Sequence, residues 1–314
     1  MISQQALMSE KSYSGTNITI LTLLVFYSML FIFFRNDILN ADHTARDLLF
    51  IWAASIILIM LIAFIRSKKL QAILQVIFVL GFFSFFYELS SRFQFILYDN
   101  WQDEKLLSLD RSLFGSEISL LMQSIVSPYL TEAMMFAYVF YIPLLVIVAF
   151  IAYKEKSAEG LGNYLFILSV GYAICYIGFI LFPVASQMYY VADQYRVALN
   201  GGMFTYFGEL IRSKAHFPGG SLPSPHCMAA TIMLSILFKY KRNLYYLFLP
   251  ITLLLYVSTV YCRYHYIWDG VIAITLALIL IRAFPLLNKF YEMISLFRNS
   301  IMHPLSVSNS LSDQ

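Results

Sequence analysis

Residues 132–153 read EAMMFAYVFYIPLLVIVAFIAY, and Glu132 is the only charged side chain in the run. About 20 consecutive apolar residues are enough for a helix to cross the hydrocarbon core of a bilayer. A helix that is apolar on all its faces belongs in a large protein core or in lipid. The stretch therefore predicts a membrane-spanning helix.

The rest of the chain has the same character. Of 314 residues, 60% are hydrophobic and 12% are charged, and the charged fraction of a soluble domain is about twice as large. Lipid-facing side chains need no polar coat, and a helix satisfies its own backbone hydrogen bonds. We therefore predict an all-α, polytopic transmembrane helical bundle with about eight spans. The other apolar runs lie near 17–34, 48–65, 71–90, 161–182, 226–240, 243–262 and 265–284.

The connections between these runs alternate in charge, which predicts their orientation. Those after the second, fourth and sixth runs are basic, at 66–69, 154–156 and 239–242, whereas the others are mostly acidic. Basic loops stay on the cytoplasmic side. Both termini should then be cytoplasmic, and the segments 91–131, 183–225 and 262–265 should face outward. We expect an integral protein of the plasma (inner) membrane, with an uncleaved first span.

Two polar stretches stand where a membrane helix ordinarily has no ionisable residues. GGSLPSPH at 219–226 leads into the sixth run, and RYHYIWD at 263–269 opens the eighth. Both fall at the predicted outer face. On a helix, His265 and Asp269 at i and i+4 share one face, so the carboxylate can orient the imidazole. A lone pair of this kind is more often an ion pair at a helix start, but together with Pro-Ser-Pro-His at the same membrane face it predicts a catalytic nucleophile or base.

The two stretches together contain the parts required for phosphoryl transfer through a covalent phosphohistidine. His265 would attack phosphorus, Asp269 would orient it and stabilise its imidazolium, and His226 would protonate the leaving oxygen. An anion-binding turn and a fixed cation would hold the phosphate oxygens. The candidates for that binding role are Ser224, Gly220, Ser221 and Arg263.

Other partners and cofactors are not indicated. A net charge of +3, dispersed along the chain, does not suggest nucleic acid. Three cysteines without CxxC spacing suggest neither a disulfide framework nor a zinc cluster. His216 with His226, His265 and Asp269 is a zinc alternative, although no two of these histidines have short ligand spacing. We expect no cofactor, the membrane as the surroundings and a lipid phosphate as substrate.

Both stretches resemble motifs of the type 2 phosphatidic acid phosphatase superfamily. Residues 221–230, Ser-Leu-Pro-Ser-Pro-His-Cys-Met-Ala-Ala, resemble its Pro-Ser-x-His motif, and residues 265–270 resemble its His-x-x-x-Asp motif. The separation of 39 residues between the histidines is similar too. The resemblance implies a six-helix-type phosphatase core in the C-terminal part. It also implies that the later histidine is the nucleophile and the earlier one the acid.

The sequence departs from that superfamily's pattern in its cations. The Lys-x6-Arg-Pro phosphate clamp is absent, and Ser258-Thr259 stands where a Ser-Arg pair is expected. In these losses, and in the stretches 110–115 and 181–185, the chain resembles the divergent branch that contains inositol phosphorylceramide synthases. This resemblance implies that other groups meet the phosphate charge. Candidates in the predicted outer loop are Arg196, Arg212 and Lys214.

We predict N-terminal spans with an outer loop at 1–130, a phosphatase-like membrane core at 131–290 and a cytoplasmic tail at 291–314. The leading hypothesis is a metal-independent phosphatase that acts on a lipid phosphate or diphosphate at the outer leaflet. One alternative is a transferase that passes a phospho-headgroup to a lipid or glycan hydroxyl. Another is a transporter or non-catalytic lipid-binding protein on the same scaffold.

Overall fold

The computed structural model describes residues 4–38, 40–215 and 217–302, and within these ranges the chain forms helices and no strands. The predicted all-α fold is confirmed. The α-helices are α1 (Gln4–Phe34), α2 (Ala41–Phe64), α3 (Lys68–Ser90), α4 (Asp103–Phe114), α5 (Ile118–Leu121), α6 (Pro128–Leu181), α7 (Gln187–Tyr190), α8 (Met203–Ala215), α9 (Pro225–Tyr240), α10 (Arg242–Tyr261) and α11 (Ile267–Met302).

Six of the described helices are long and apolar enough to cross a membrane. They are α1 over Tyr13–Phe34, α2, α3, α6, α10 and α11 over Ile267–Lys289. The chain is therefore a multi-pass membrane protein. The difference between six helices and about eight predicted runs arises at α6 and α9.

Helix α6 contains two of the predicted runs in 54 residues. Its backbone leaves the helical conformation at Lys156 and Ser157, where Ser157 adopts a left-handed φ of 52°. The hydroxyl of Tyr164 donates to the carbonyl oxygen of Leu145 at 3.1 Å. The segment after the break therefore runs back beside the segment before it. The basic turn predicted at 154–156 thus separates two antiparallel helical segments.

Helix α9 has 16 residues and is about 24 Å long at 1.5 Å per residue. That is shorter than the roughly 30 Å hydrocarbon core. It packs against α6, α10 and α11, and the side chains from Cys227 to Ala230 are fully buried. The sixth predicted run is therefore a central helix of the bundle, covered mainly by protein rather than by lipid.

Aromatic contacts join the N-terminal helices to α6. Phe83 of α3 stacks on Tyr172 with ring centroids 4.0 Å apart, and the hydroxyl of Tyr176 donates to the carbonyl oxygen of Phe83 at 2.7 Å. These residues belong to one apolar core that runs from Tyr13 to Leu280. The first three helices are thus packed on the helices that carry the candidate site.

The connecting segments 91–127, 182–224 and 262–266 meet at one end of the bundle, which we call the loop-rich end. The backbone N–H of Gln102 donates to the carbonyl oxygen of Pro183 at 2.9 Å. The N–H of Met188 donates to the carbonyl oxygen of Arg263 at 2.9 Å. Both polar stretches singled out in the sequence lie at this end.

Candidate active site

His226 lies in the first turn of α9, and the sequence before it explains why the helix begins there. Ser224 is the N-cap residue, and its hydroxyl accepts from the N–H of Cys227 at 3.4 Å. Pro225 occupies the first turn, where a missing N–H costs nothing. The N–H of Ser224 also donates to the carbonyl oxygen of Asp269 at 3.0 Å. This bond ties the start of α9 to the start of α11.

His265 and Asp269 form the pair that their spacing predicts. Nδ1 of His265 lies 3.2 Å from Oδ2 of Asp269, and both residues are buried. The same carboxylate oxygen accepts from the N–H of Tyr266 at 3.0 Å. A side chain that reaches back to the N-cap N–H is half of a capping box. One residue thus caps α11 and orients the imidazole.

Ser221 bridges the two members of this pair. Its hydroxyl donates to Oδ2 of Asp269 and lies 3.1 Å from Nδ1 of His265. The contacts are consistent with an Nδ1–H that faces the carboxylate and the hydroxyl, so that the lone pair is on Nε2. The hydroxyl of Ser221 is thus placed to orient His265, and its predicted phosphate role stays a prediction.

Two glycines with positive φ form the turn that places Ser221 beside His265 and Asp269. Gly219 has φ +111° and Gly220 has φ +65°, a region in which only glycine is unstrained. A Cβ at Gly219 would lie 2.0 Å from Oε1 of Gln94, and one at Gly220 would lie 2.7 Å from Cε2 of Tyr87. The turn therefore requires glycine at both positions for conformation and for space.

The two histidines meet at the loop-rich end. Nε2 of His265 lies 3.4 Å from Nδ1 of His226, and the ring planes are inclined at 64°. Tyr138 of α6 stacks on His226 with centroids 4.6 Å apart, and Tyr141 contacts the same ring at 4.8 Å. The acid candidate is thus held by aromatic rings, and the nucleophile candidate is held by hydrogen bonds.

The arginines predicted to bind phosphate differ from the two histidines in their surroundings. The guanidinium of Arg263 lies 3.9 Å from the ring centroid of Tyr195 and donates to the carbonyl oxygen of Val197. Arg212 is paired with Glu209 at 2.6 Å. Arg196 is exposed. The described contacts of Arg263 and Arg212 are thus with Tyr195, Val197 and Glu209.

The structure does not describe the side chains of two predicted residues. Lys214 lies in α8, but its side chain is not described, and His216 is not described at all. Elsewhere in the described ranges, no group of three or more His, Cys, Asp or Glu residues is arranged to hold a metal ion. The phosphate role of Lys214 stays a prediction.

Sequence reasoning missed two carboxylates of α4 that hold the start of α11. Asp103 is buried, and its carboxylate accepts from the hydroxyl of Tyr266 at 2.8 Å. Asp110 accepts from Nε1 of Trp268 at 2.7 Å. These bonds hold Tyr266 and Trp268, which lie on either side of Ile267 and close to His265 in sequence. No local pattern signals them, because the partners are far apart in sequence.

Asp103 also gives the loop-rich end a pH-dependent stability. Burial raises its pKa from 3.8 to about 6, although its hydrogen bonds oppose the shift. The folded state therefore binds this proton more tightly than the unfolded state. The resulting stability is fully present below pH 3.8 and is lost as the pH rises through about 6.

We expect Asp103→Asn to remove this contribution. The thermal midpoint of the variant, minus that of the parent, should increase as the pH rises from 3.8 to above 6, because only the parent loses the stabilising proton. The check is thermal unfolding of both proteins in detergent across that range. Asp99→Asn, the same substitution at an exposed carboxylate of the same end, is the matched control. A flat difference for Asp103→Asn across this range would contradict the assignment.

We expect Ser221→Ala to lower kcat by about 10- to 100-fold with little change in KM, since hydrogen bonds to charged groups contribute about 1.5–3 kcal/mol. A hydroxyl that bound the substrate phosphate would instead raise KM. Steady-state kinetics with a lipid phosphate separate the two roles. Ser235→Ala is the control: it removes a hydroxyl that donates to the carbonyl oxygen of Ile232 within α9, and it should leave kcat unchanged.

Comparison with known proteins adds one finding. Residues 104–283 match the family model of the PAP2 superfamily, a range that includes His226, His265, Asp269 and Ser221. No curated protein and no solved structure matches the chain significantly.

Proposed function

Because the chain belongs to the PAP2 superfamily, whose members are generally phosphatases and phosphotransferases, we propose that it is a lipid phosphate or diphosphate phosphatase. In this proposal it acts without a metal at the outer leaflet. Positive-inside charge places both termini in the cytoplasm and the loop-rich end outside. The substrate is then a lipid whose phosphate lies at the outer membrane surface.

One observation carries the proposal. Nε2 of His265 faces Nδ1 of His226 at 3.4 Å, while its opposite nitrogen is held by Asp269 at 3.2 Å. A double displacement requires a nucleophile that is oriented, here by a carboxylate, and a neighbouring group that donates and accepts a proton, here His226. A phosphoryl group must separate the two imidazoles, because the direct contact leaves no room for phosphorus and its oxygens between them.

The reaction has two displacements. Nε2 of His265 attacks phosphorus, the bond from phosphorus to the lipid oxygen breaks, and protonated His226 donates its proton to that oxygen. The resulting phosphohistidine carries a positive ring, which Asp269 stabilises. Water then attacks phosphorus, His226 takes its proton, and the phosphorus–nitrogen bond breaks. Inorganic phosphate leaves, and His226 is protonated again.

The missing clamp favours a second candidate, transfer of a phospho-headgroup to a lipid or glycan hydroxyl, as in the synthase-like branch. Two of the arginines predicted to bind phosphate, Arg263 and Arg212, contact Tyr195 and Glu209 instead, which leaves fewer cations for charge neutralisation at phosphorus. Water and a hydroxyl compete for the same intermediate. The two motifs do not select between them.

Product analysis tests the proposal. The purified protein in detergent micelles is given a lipid phosphate labelled at phosphorus, with and without a second lipid alcohol. We expect labelled inorganic phosphate as the main product. A labelled second lipid supports the transferase, and absence of turnover across lipid monophosphates, diphosphates and phosphodiesters would support the non-catalytic or transport function.

A further inference from the structure

The turn segment 185–188, which leads from α6 into the start of α7, contacts the turn that carries Ser221 and the segment that carries His265. The carbonyl oxygen of Ala185 accepts from the N–H of Gly219 at 3.2 Å, and the N–H of Met188 donates to the carbonyl oxygen of Arg263 at 2.9 Å. The N–H groups of Ala185 and Ser186 donate to Asp103 at 2.8 and 3.2 Å. The turn is thus fixed between the Ser221 turn and the segment that carries His265.

This turn contains buried polar atoms that lack a hydrogen-bond partner among the described residues. They are the hydroxyl of Ser186 and both the Oε1 and Nε2 atoms of Gln187, and both residues are 0% exposed. Each such atom destabilises the folded state. Three of them within two adjacent residues is uncommon in a folded protein, and a bound polar group is a physical explanation.

The backbone of the turn is strained as well. Ser186 has a φ of 85°, a backbone conformation that residues other than glycine rarely adopt. Strain of this kind costs about 1–3 kcal/mol and persists where the surroundings over-determine the conformation, often at ligand-binding positions. Here Asp103 supplies that constraint through the two backbone N–H groups.

The unpaired atoms define the chemistry of a ligand. The amide of Gln187 offers donors at Nε2 and an acceptor at Oε1, and a hydroxyl can donate and accept. Ionised phosphate oxygens only accept, so they could satisfy Nε2 and Ser186 but not Oε1. A group that bears hydroxyls can satisfy all three atoms.

We propose that Ser186 and Gln187 form a neutral subsite that binds a hydroxyl-bearing group, such as a polyol, next to the reacting phosphate. The inference rests on the proposed phosphoryl transfer at His265. The hydroxyls belong to the headgroup of the donor lipid or to an alcohol that accepts the phosphoryl group. Both sources present the same chemistry to the turn.

The first arm of the test concerns an acceptor alcohol. The purified protein is given phosphatidic acid with added glycerol, and the ratio of glycerol phosphate to inorganic phosphate is measured. Loss of a neutral hydrogen bond worth about 1 kcal/mol lowers binding about fivefold. Gln187→Met should lower the ratio by about that factor, while total turnover stays within about threefold of the parent.

The second arm concerns the donor headgroup, without added alcohol. The kcat/KM for phosphatidylglycerol is divided by that for the phosphatidyl ester of methanol, which lacks free headgroup hydroxyls. A donor-headgroup subsite predicts that Gln187→Met lowers this ratio about fivefold. Gln102→Met, a matched change at a half-buried glutamine of the loop-rich end, should alter neither ratio.

Ser186→Gly keeps the inference testable if Gln187→Met does not fold. It removes the hydroxyl and relieves the positive φ, so it should lower the same ratio as Gln187→Met without loss of stability. Three results in an active parent overturn the subsite and leave the proposed function intact: unchanged ratios in both arms, equal losses for the two products or substrates that a ratio compares, or no transfer to glycerol together with no cleavage of phosphatidylglycerol. A parent inactive on every donor overturns the proposed function, and the subsite with it.

Discussion

His265→Ala should abolish phosphoryl transfer, with a loss of about a thousandfold or more in kcat/KM, because no other described side chain replaces the attacking nitrogen. The change removes the nucleophile and leaves Asp269 bonded to Ser221 and to the N–H of Tyr266. The measurement is release of inorganic phosphate from a lipid phosphate by the purified variant.

His43→Ala is the matched control for this experiment. His43 is an exposed histidine of α2, and its replacement should leave activity unchanged. Elution of both variants as the parent does in size-exclusion chromatography would show that the bundle is preserved. Activity of His265→Ala near that of the parent would remove the covalent mechanism and leave only the helical scaffold.

His226→Ala should lower kcat for lipid alcohols by about 10²–10⁴-fold, the usual contribution of a general acid. The loss should be much smaller for a nitrophenyl phosphate, since its leaving oxygen needs no proton to depart. The measurement is the ratio of the variant's losses on the two substrates. His265→Ala should lose activity on both, because the nucleophile is required whatever group leaves.

Equal losses of His226→Ala on the two substrates would contradict the role of general acid. They would indicate instead that the ring acts through packing, since Tyr138 and Tyr141 both contact it. His226→Gln, which keeps a polar side chain of similar size, then separates packing from proton transfer. Recovery by His226→Gln on the lipid substrate would support packing.

The sequence was sufficient for features that depend on local spacing. Apolar runs of span length predicted the bundle, because lipid and protein interior select the same side chains. The i, i+4 spacing predicted that His265 and Asp269 would meet, because one helical turn separates them. Ser224 and Pro225 carry the signals of a helix start, which places His226 in the first turn.

Features set by distant contacts could not be predicted. Hydropathy does not distinguish a lipid-facing helix from a central one, so the sequence could not show that α9 is covered mainly by protein. Arg263 is only two residues from His265 in sequence, but its guanidinium contacts the ring of Tyr195 and the carbonyl oxygen of Val197. The bond between Asp103 and Tyr266 joins residues 163 apart, and only the fold brings them together.

The most direct measurement is capture of the covalent intermediate. The parent is mixed with a lipid phosphate labelled at phosphorus, quenched in base during turnover, digested and analysed by mass spectrometry. Phosphohistidine survives base and is lost in acid. The account predicts acid-labile label on the peptide that contains His265, and none there in His265→Ala. Turnover by the parent with no label on His265, or with label on another residue instead, would contradict it.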